Sequence, residues 1–317
     1  YTKMRLKILP KKGDKRDLNN WRGVMLTDSQ YKIVAMMADA RLGRIAREEG
    51  IEDQNGFSPQ RGCTDASFTT KMVLRRRREH GLETWIAFID LVKAFDSVPR
   101  PIMWRVLEIF GCPPRLLRLL RLFHSDLCIS IAVGEETVTI ENTVGVKQGD
   151  APAPKLFNLV IQAAVEYCLN ERTRKGLPFA TNTRQVGARA GVLAGANYRN
   201  KGEFQFEWRV ALYADDAGTG EESRRHLQES LVEIDTAFKA LGLLMHVAKG
   251  GGKSKTEFLH VPAPGKPLGD ISPISLPGVG TVTHTEFFCY LGSNIHYSLS
   301  EACEIQTRLR KATAARF

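Results

Sequence analysis

The sequence predicts an α+β fold. Three observations carry that expectation. Dense apolar runs short enough for strands occur at "TWIAFIDL" (84–91) and "VALY" (210–213). Longer stretches carry apolar residues at helical spacing, as in "EESRRHLQESLVEIDTAFKALGL" (221–243). The two kinds follow each other irregularly, with no internal repeat and no steady strand–helix alternation.

In chain order, residues 1–84 mix short apolar runs with many Lys and Arg. The block "RRRREHG" (75–81) falls late in a helix begun near Asp65 and ended by Gly81, where cations suit the C-terminal dipole. Its arginines read either as a solvated helix face or as a phosphate-facing surface. "TWIAFIDL" is a strand ending in Asp90, and "RLLRLLRLF" (115–123) is an amphipathic helix packed on a core. "CISIAVGEETVTIENT" (128–143) reads as a hairpin around Gly134-Glu135. A helix entered through prolines spans 152–171, and the Gly-, Arg- and Asn-rich residues 172–207 read as a long loop or insertion. The helix at 221–243 closes at Gly242, residues 262–285 are Pro/Gly-rich turns around short strands, and 300–317 begins another helix.

A chain of 317 residues, 43% hydrophobic and 25% charged, has room for a substantial core or for two or three subdomains. Its net charge of +10 favours a polyanionic partner, most simply nucleic acid. No run approaches 18 apolar residues, which excludes a helical membrane span, and no membrane partner is expected. The six cysteines never form a C-x-x-C pair, which argues against a zinc site or a disulfide scaffold and fits reduced thiols in an intracellular protein. The chain opens at Tyr1 in the midst of "KMRLKILPKKGD" and reads as a piece of something larger, whose upstream residues would carry any targeting information.

The chemistry begins at "VALYADDAG" (210–218), where Asp215 and Asp216 follow the apolar run Val210–Tyr213. Adjacent aspartates are common in tight turns, where the side chain bonds its own backbone. Paired carboxylates also hold divalent cations, whose charge offsets their repulsion, and that reading requires a third acid at another strand end. Asp90 is the candidate. Two strand ends meeting in an antiparallel sheet would bring the three acids into one cluster able to serve an in-line displacement with two metals.

The chain resembles the reverse transcriptase domain of non-LTR retrotransposons from about residue 6 onward, with seven motifs in the family's order. They are "ILPKKGDKRDLNNWRGVMLTDSQYKI", "QNGFSPQRGCTDA", "FIDLVKAFDSVPR", "GVKQGDAPAPKLFNLVI", "LYADD", "KSKTEFL" and "FCYLGSNI". The resemblance implies a right-hand polymerase: fingers at 1–84, a palm at 85–297 holding motifs A to E, the hairpin near 128–145 and the insertion, and the start of a thumb at 298–317. It implies RNA-directed DNA synthesis from dNTPs on an RNA template and a DNA primer or target, with two Mg²⁺ ions, Mn²⁺ being an alternative. Asp90, Asp215 and Asp216 match the catalytic carboxylates, with Asp90 and Asp215 the principal metal ligands and Asp216 a nearby, weaker one, and the Leu91 carbonyl matches a further metal contact. Phe95 matches the aromatic beneath the incoming sugar, where a ring excludes a 2′-hydroxyl; a plain core aromatic is the rival reading. Gln148 and Gly149 match the nucleotide contact, Tyr213 and Ala214 flank the substrate, and Arg22 matches the arginine that clamps the triphosphate. Lys11 or Lys12 would add a second cation. Lys255, with Lys253 as its rival, matches a proton donor to pyrophosphate, and Cys289, Tyr290, Leu291 and Gly292 match the primer grip.

Four departures accompany the match. Asp150-Ala-Pro-Ala-Pro follows Gln148-Gly149 where a Cys or Ser and Pro are expected, so an extra carboxylate would either repel triphosphate or ligate a structural partner. "AGTG" follows the aspartates and is expected to loosen the hairpin; "HVAKGGGKSK" and the 172–207 insertion are long. Two other readings stand beside the enzyme: a decayed domain that only binds RNA, and an RNA-dependent RNA polymerase, which Phe95 opposes. An intracellular, nuclear location during element integration is the expectation.

Overall fold

The computed structural model describes residues 3–11, 13–50, 53–171, 177–180, 205–208, 210–249 and 252–314. Strands β1 (Lys3–Pro10) and β2 (Trp21–Leu26) precede helices α1 (Ser29–Glu48) and α2 (Cys63–Glu79). Then come β3 (Thr84–Ile89), the short α3 (Ala94–Ser97), α4 (Arg100–Ile109), α5 (Pro114–His124), β4 (Cys128–Val133), β5 (Glu136–Glu141) and α6 (Ala153–Glu171). The chain continues through β6 (Leu177–Ala180), β7 (Gln205–Trp208), β8 (Val210–Tyr213), β9 (Asp216–Glu221), α7 (Arg224–Ala240) and β10 (Glu257–Val261). It closes with β11 (Ile274–Leu276), β12 (Gly280–His284), β13 (Phe287–Tyr290), β14 (Ser293–His296) and α8 (Ala302–Ala314). No helix among the described residues is long and apolar enough to cross a membrane.

The chain divides into two compact units. The first comprises Tyr1–Ile51, Val92–Tyr167 and Ala237–Leu244; the second comprises Glu52–Leu91, Cys168–Thr236 and Met245–Phe317.

The first unit holds a four-stranded sheet of order β2-β1-β4-β5, antiparallel except for β1 beside β4. Met4, Met25, Leu127 and Ile129 form its small core with Tyr31 against it. Leu116, Leu117 and Leu120 of α5 are buried while Arg115, Arg118 and Arg121 are exposed, the amphipathic division that its spacing predicts. Pro113 and Pro114 open this helix, where a missing N–H costs nothing. Buried Arg100 donates to the carbonyls of His124 (3.0 Å), Asn142 (2.7 Å) and Gly145 (3.2 Å), tying the α5 end to the segment before "GVKQGD".

The second unit is built on a six-stranded sheet of order β11-β12-β10-β3-β9-β8, antiparallel except for β10 beside β12. All six residues of β3 are buried, which is why its sequence shows no polar alternation. Ile86 and Phe88 pack in one cluster with Val73 and Leu74 of α2, while Trp85 stacks on His260 with ring centroids 3.9 Å apart.

Three expectations change here. The arginine run of α2 is not a uniform solvated face: Arg75 is exposed, Arg76 and Arg78 are half-buried and Arg77 is buried, each with a partner. Arg75 and Lys71 pair with Glu301, Arg76 with Glu79, and Arg78 donates to the Ser298 carbonyl. Arg77 is buried and donates to Thr84 and the Glu83 carbonyl. Lys71, Arg75 and Arg78 thereby fasten α2 to the segment leading into α8, and Arg77 fastens it to the start of β3. The ends of the 172–207 segment are not loop: β6 and β7 pair antiparallel, Leu177 opposite Trp208, and residues 181–204 lie outside the described residues. Nor does "AGTG" loosen anything. It continues as β9, paired on both sides, and a Cβ at Gly220 would come within 2.6 Å of Leu177 and 2.7 Å of Trp208, so glycine permits that close approach.

Candidate active site

The two acid-bearing strand ends meet in the second unit. Tyr213 pairs with Asp216 across the β8–β9 hairpin, so the turn consists of Ala214 and Asp215, and Asp216 already opens β9. Ala214 takes a left-handed φ of 56° there. Ile89 pairs with Ala217, which makes Asp90 and Asp216 the next positions along the same antiparallel ladder. Partners on such strands lie about 5 Å apart at Cα. Asp90 and Asp216 line one cavity of about 340 Å³ together with Lys255, Ser254, Phe288 and Tyr290. Asp215, half-buried in the turn, is not among the lining residues.

Asp90 is fixed on both backbone sides: its N–H donates to Thr256 Oγ1 (3.2 Å), and its carbonyl accepts from His246 N–H (2.8 Å). Leu91 is buried in an isolated bridge opposite Met245. Lys255 places its Nζ 3.7 Å from Asp90 Oδ2, whereas Lys253 is exposed and absent from the cavity lining.

Negative charge accumulates at this point. Asp216 is exposed by area yet hemmed in by protein. That crowding, and then the like charges of Asp215 and Asp90, push its carboxyl up to about 6. Hard carboxylate oxygens brought together at like charge suit a divalent cation, so the donor chemistry fits the metal that the motifs imply. Among the described residues, however, no three His, Cys, Asp or Glu side chains gather closely enough to hold an ion. The cavity offers Asp90 and Asp216, not a finished cage of three acids.

β13 and β14 form a hairpin beside this cavity. Its turn is Leu291-Gly292, with φ of 50° and 81°, the doubly left-handed geometry that tight hairpins favour. Cys289 is exposed, while Tyr290 is buried, lines the cavity, and its hydroxyl has no hydrogen-bond partner among the described residues. Burial, then the charges of Asp216 and Cys63, raise the Tyr290 phenol above its ordinary value. Tyr213 is half-buried, and a hydrogen bond with Cys63 raises its phenol in turn.

The remaining candidates belong to the first unit. Phe95 is half-buried and its ring stacks on buried Phe157, centroids 4.2 Å apart. The Phe95 carbonyl accepts from Val146 N–H (2.8 Å). Gln148 Nε2 reaches Asp96 Oδ1 at 3.4 Å, and its carbonyl accepts from Met25 N–H (2.8 Å), which fastens this loop to β2. Gly149 has a φ of 101°, and a Cβ there would meet the Met25 carbonyl at 2.8 Å. Arg22 is exposed on β2 opposite Leu9. Lys11 is exposed, and its charge, with that of Lys93, opposes the burial that raises the Asp96 carboxyl. Lys12 lies outside the described residues.

Asp150 resolves against the repulsive reading. It is buried, its Oδ2 lies 3.0 Å from Lys147 Nζ, and it accepts a 2.6 Å hydrogen bond from the Tyr31 hydroxyl. Lys147 and Gln54 were not singled out by residue type or spacing. The signal for Lys147 is a basic residue three positions before an unexpected acid; the signal for Gln54 is its place in the motif "QNGF".

The sequence matches the family described as reverse transcriptase (RNA-dependent DNA polymerase) over residues 9–295. It is 31% identical over 173 residues to the Transposon TX1 uncharacterized 149 kDa protein of Xenopus laevis, covering 54% of this chain and 13% of that one. It is 28% identical over 197 residues to the Retrovirus-related Pol polyprotein from type-2 retrotransposable element R2DM of Drosophila melanogaster, covering 62% and 16%. A type-1 element R2 Pol polyprotein of Popillia japonica matches at 29% over 163 residues, covering 51% and 23%, so the chain spans under a quarter of these relatives. Among solved structures, apo telomerase from Candida tropicalis truncated from its C-terminal domain aligns with a TM-score of 0.56 at 9% identity, over 94% of this chain and 54% of that one. Telomerase from Candida albicans in complex with a fragment of telomeric RNA aligns at 0.52 and 11% identity, over 94% and 46%, a likeness of fold. With its seven motifs in order, its α+β fold and a family match across nearly its whole length, the chain belongs to the reverse transcriptases.

Proposed function

We propose that this chain is an RNA-directed DNA polymerase domain of a non-LTR retroelement, extending a primer 3′-hydroxyl with dNTPs on an RNA template. The observation that carries the reading is the meeting of Asp90 and Asp216 at one cavity on neighbouring strands, with Lys255 beside Asp90. Asp90 and Asp216, with Asp215 and the Leu91 carbonyl, are the groups that would hold divalent ions, Mg²⁺ or alternatively Mn²⁺. Bound there, such ions would lower the pKa of the attacking hydroxyl and neutralise charge on the leaving pyrophosphate.

The chain's own residues supply the rest. The Lys255 ammonium is the proton donor to the pyrophosphate oxygen, within reach of the acids through its neighbour Asp90. Arg22 and Lys11 bind the triphosphate, Gln148 and Gly149 contact the nucleotide, and the Phe95 ring occupies the space a 2′-hydroxyl would need. Tyr213 and Ala214 adjoin the substrate, and the hairpin Cys289–Gly292 holds the primer end. The fingers, palm and thumb assignments at 1–84, 85–297 and 298–317 belong to the same reading, as does action in the nucleus.

Primer extension on an RNA template with Mg²⁺ tests it. The wild type is expected to extend, and Asp215→Asn to lose extension by at least a hundredfold while keeping RNA affinity within about twofold, since an amide keeps the size and loses the charge. A wild type that binds RNA but extends no primer with any metal or template overturns the enzyme in favour of an RNA-binding module.

A further inference from the structure

Beside the aspartate turn runs a segment that none of the proposed chemistry uses. Residues 53–56 lie along the outer side of β8: Gln54 forms a parallel bridge to Leu212, Asn55 N–H donates to the Leu212 carbonyl (2.9 Å), and Leu212 N–H donates to the Asp53 carbonyl (3.3 Å). Gln54 is buried, and its Oε1 accepts two backbone hydrogen bonds, from Gly56 (2.8 Å) and from Ala214 (3.0 Å). Its Nε2 is buried and has no hydrogen-bond partner among the described residues, so among them the side chain is held by its oxygen. Ala214 is the residue with φ of 56°, a conformation that an L residue adopts at a cost, and its N–H would be orphaned without that oxygen. Gly56 completes the fit, for a Cβ there would lie 2.2 Å from Ala214 N and 2.9 Å from the Tyr213 carbonyl carbon.

We infer that Gln54 is a positioning residue for polymerisation: its amide oxygen holds Ala214 left-handed and thereby fixes where Asp215 and Asp216 stand relative to Asp90. The inference rests on the polymerase reading for its effect on rate, but its structural step is independent of that reading. The turn reverses the chain in two residues. A change at Ala214 therefore moves both aspartates together, while the nucleotide contacts proposed outside this turn, at Arg22, Phe95 and Gln148, keep their places. Losing the contact should lower turnover more than substrate affinity.

Two variants separate the contact from mere packing. Gln54→Met keeps length and volume without an acceptor; Gln54→Glu keeps the acceptor oxygens. Hydrogen exchange followed by mass spectrometry on the peptide 210–218 reads the Ala214 amide directly. Exchange of that peptide is expected to quicken at least tenfold in Gln54→Met, with α2 and β3 unchanged, and to stay near wild type in Gln54→Glu. In primer extension, kcat of Gln54→Met is expected to fall at least tenfold, with KM for dNTP and Kd for an RNA–DNA duplex within twofold, and Gln54→Glu is expected to recover most of that loss. Unchanged exchange at 210–218 in Gln54→Met, or a loss of protection spread evenly over the second unit, overturns the inference. So does a Gln54→Glu protein that loses protection like the Met variant, and this arm decides alone if Gln54→Met does not fold. A wild type that extends no primer sinks the polymerase reading instead, and the exchange result still decides the role of Gln54.

Discussion

Lys147 and Asp150 are both withdrawn from solvent, and their charges are 3.0 Å apart. Burial lowers the Lys147 ammonium, Asp150 pulls it back up, and the Tyr31 hydroxyl completes the shell of the carboxylate. Removing one partner of such a pair leaves a buried charge uncompensated, at about 3–5 kcal/mol. Asp150→Asn is therefore expected to lose stability of that order in urea denaturation, while Lys147→Met with Asp150→Leu together recovers much of it; equal stability of Asp150→Asn and wild type would refute the pairing. From sequence alone Asp150 was an acid beside a nucleotide site, since spacing carries no information on which way a loop side chain turns. The stacking of Phe95 on Phe157 could not be read from its position either. Phe95→Val is expected to lower the ratio of dNTP to rNTP incorporation, with a stability loss below the roughly 3–5 kcal/mol of a fully buried Phe→Ala. An unchanged ratio in a folded, active variant would make Phe95 a core residue only.

Elements with strong periodicity were readable: α5, the β4–β5 hairpin at Gly134, and β3, whose six buried residues left no alternation to misread. β9 was not, because four residues of "AGTG" look like turn chemistry unless one knows that Leu177 and Trp208 crowd Gly220. Gly220→Ala is expected to destabilise by about 1–3 kcal/mol through overpacking, read as a lower urea midpoint at unchanged slope. The end of α5 shows a second competition. A helix C-terminus ordinarily favours a cation, yet burial, and then the charge of Lys147, holds His124 down at about 3 despite its hydrogen bond to the Leu120 carbonyl. The folded pKa is thus below the unfolded value of about 6.5, so below that pH the unfolded chain takes up a proton that the folded one refuses. The contribution is whole above pH about 6.5 and declines as pH falls toward 3, at up to about 1.4 kcal/mol per unit. Between about pH 7 and 5.5 the wild type should lose roughly 1 kcal/mol more than His124→Leu, and parallel stability curves would contradict the buried neutral imidazole.

Over the whole chain the net charge is +10, but charge and availability differ. Arg75 and Lys71 are committed to Glu301, Arg77 and Arg100 are buried among backbone carbonyls, Lys147 is sealed in with Asp150, and Lys155 pairs with Asp39 at 2.6 Å. A cation already paired or buried in this way is a poorer candidate for a phosphate contact than its charge alone suggests. The composition raises the expectation of a polyanionic partner; which cations would face it is not written there, because pairing is a property of the folded chain. On the exposed side of α5, by contrast, Arg115 and Arg118 stand a helical turn apart. Each Lys or Arg that neutralises a phosphate releases counterions, so binding to single-stranded RNA should weaken with salt at about −0.7 in log–log slope per contact. Arg115→Gln with Arg118→Gln is expected to flatten that slope by about one contact or more and to weaken binding alike for every sequence. Arg75→Gln should leave the slope as it is, since its charge already rests on Glu301, and should instead loosen α2 from the segment before α8. Titrations of fluorescent RNA at several salt concentrations separate the two outcomes. A flatter slope for Arg75→Gln than for the α5 pair would mean that the α2 arginines leave Glu301 to meet nucleic acid.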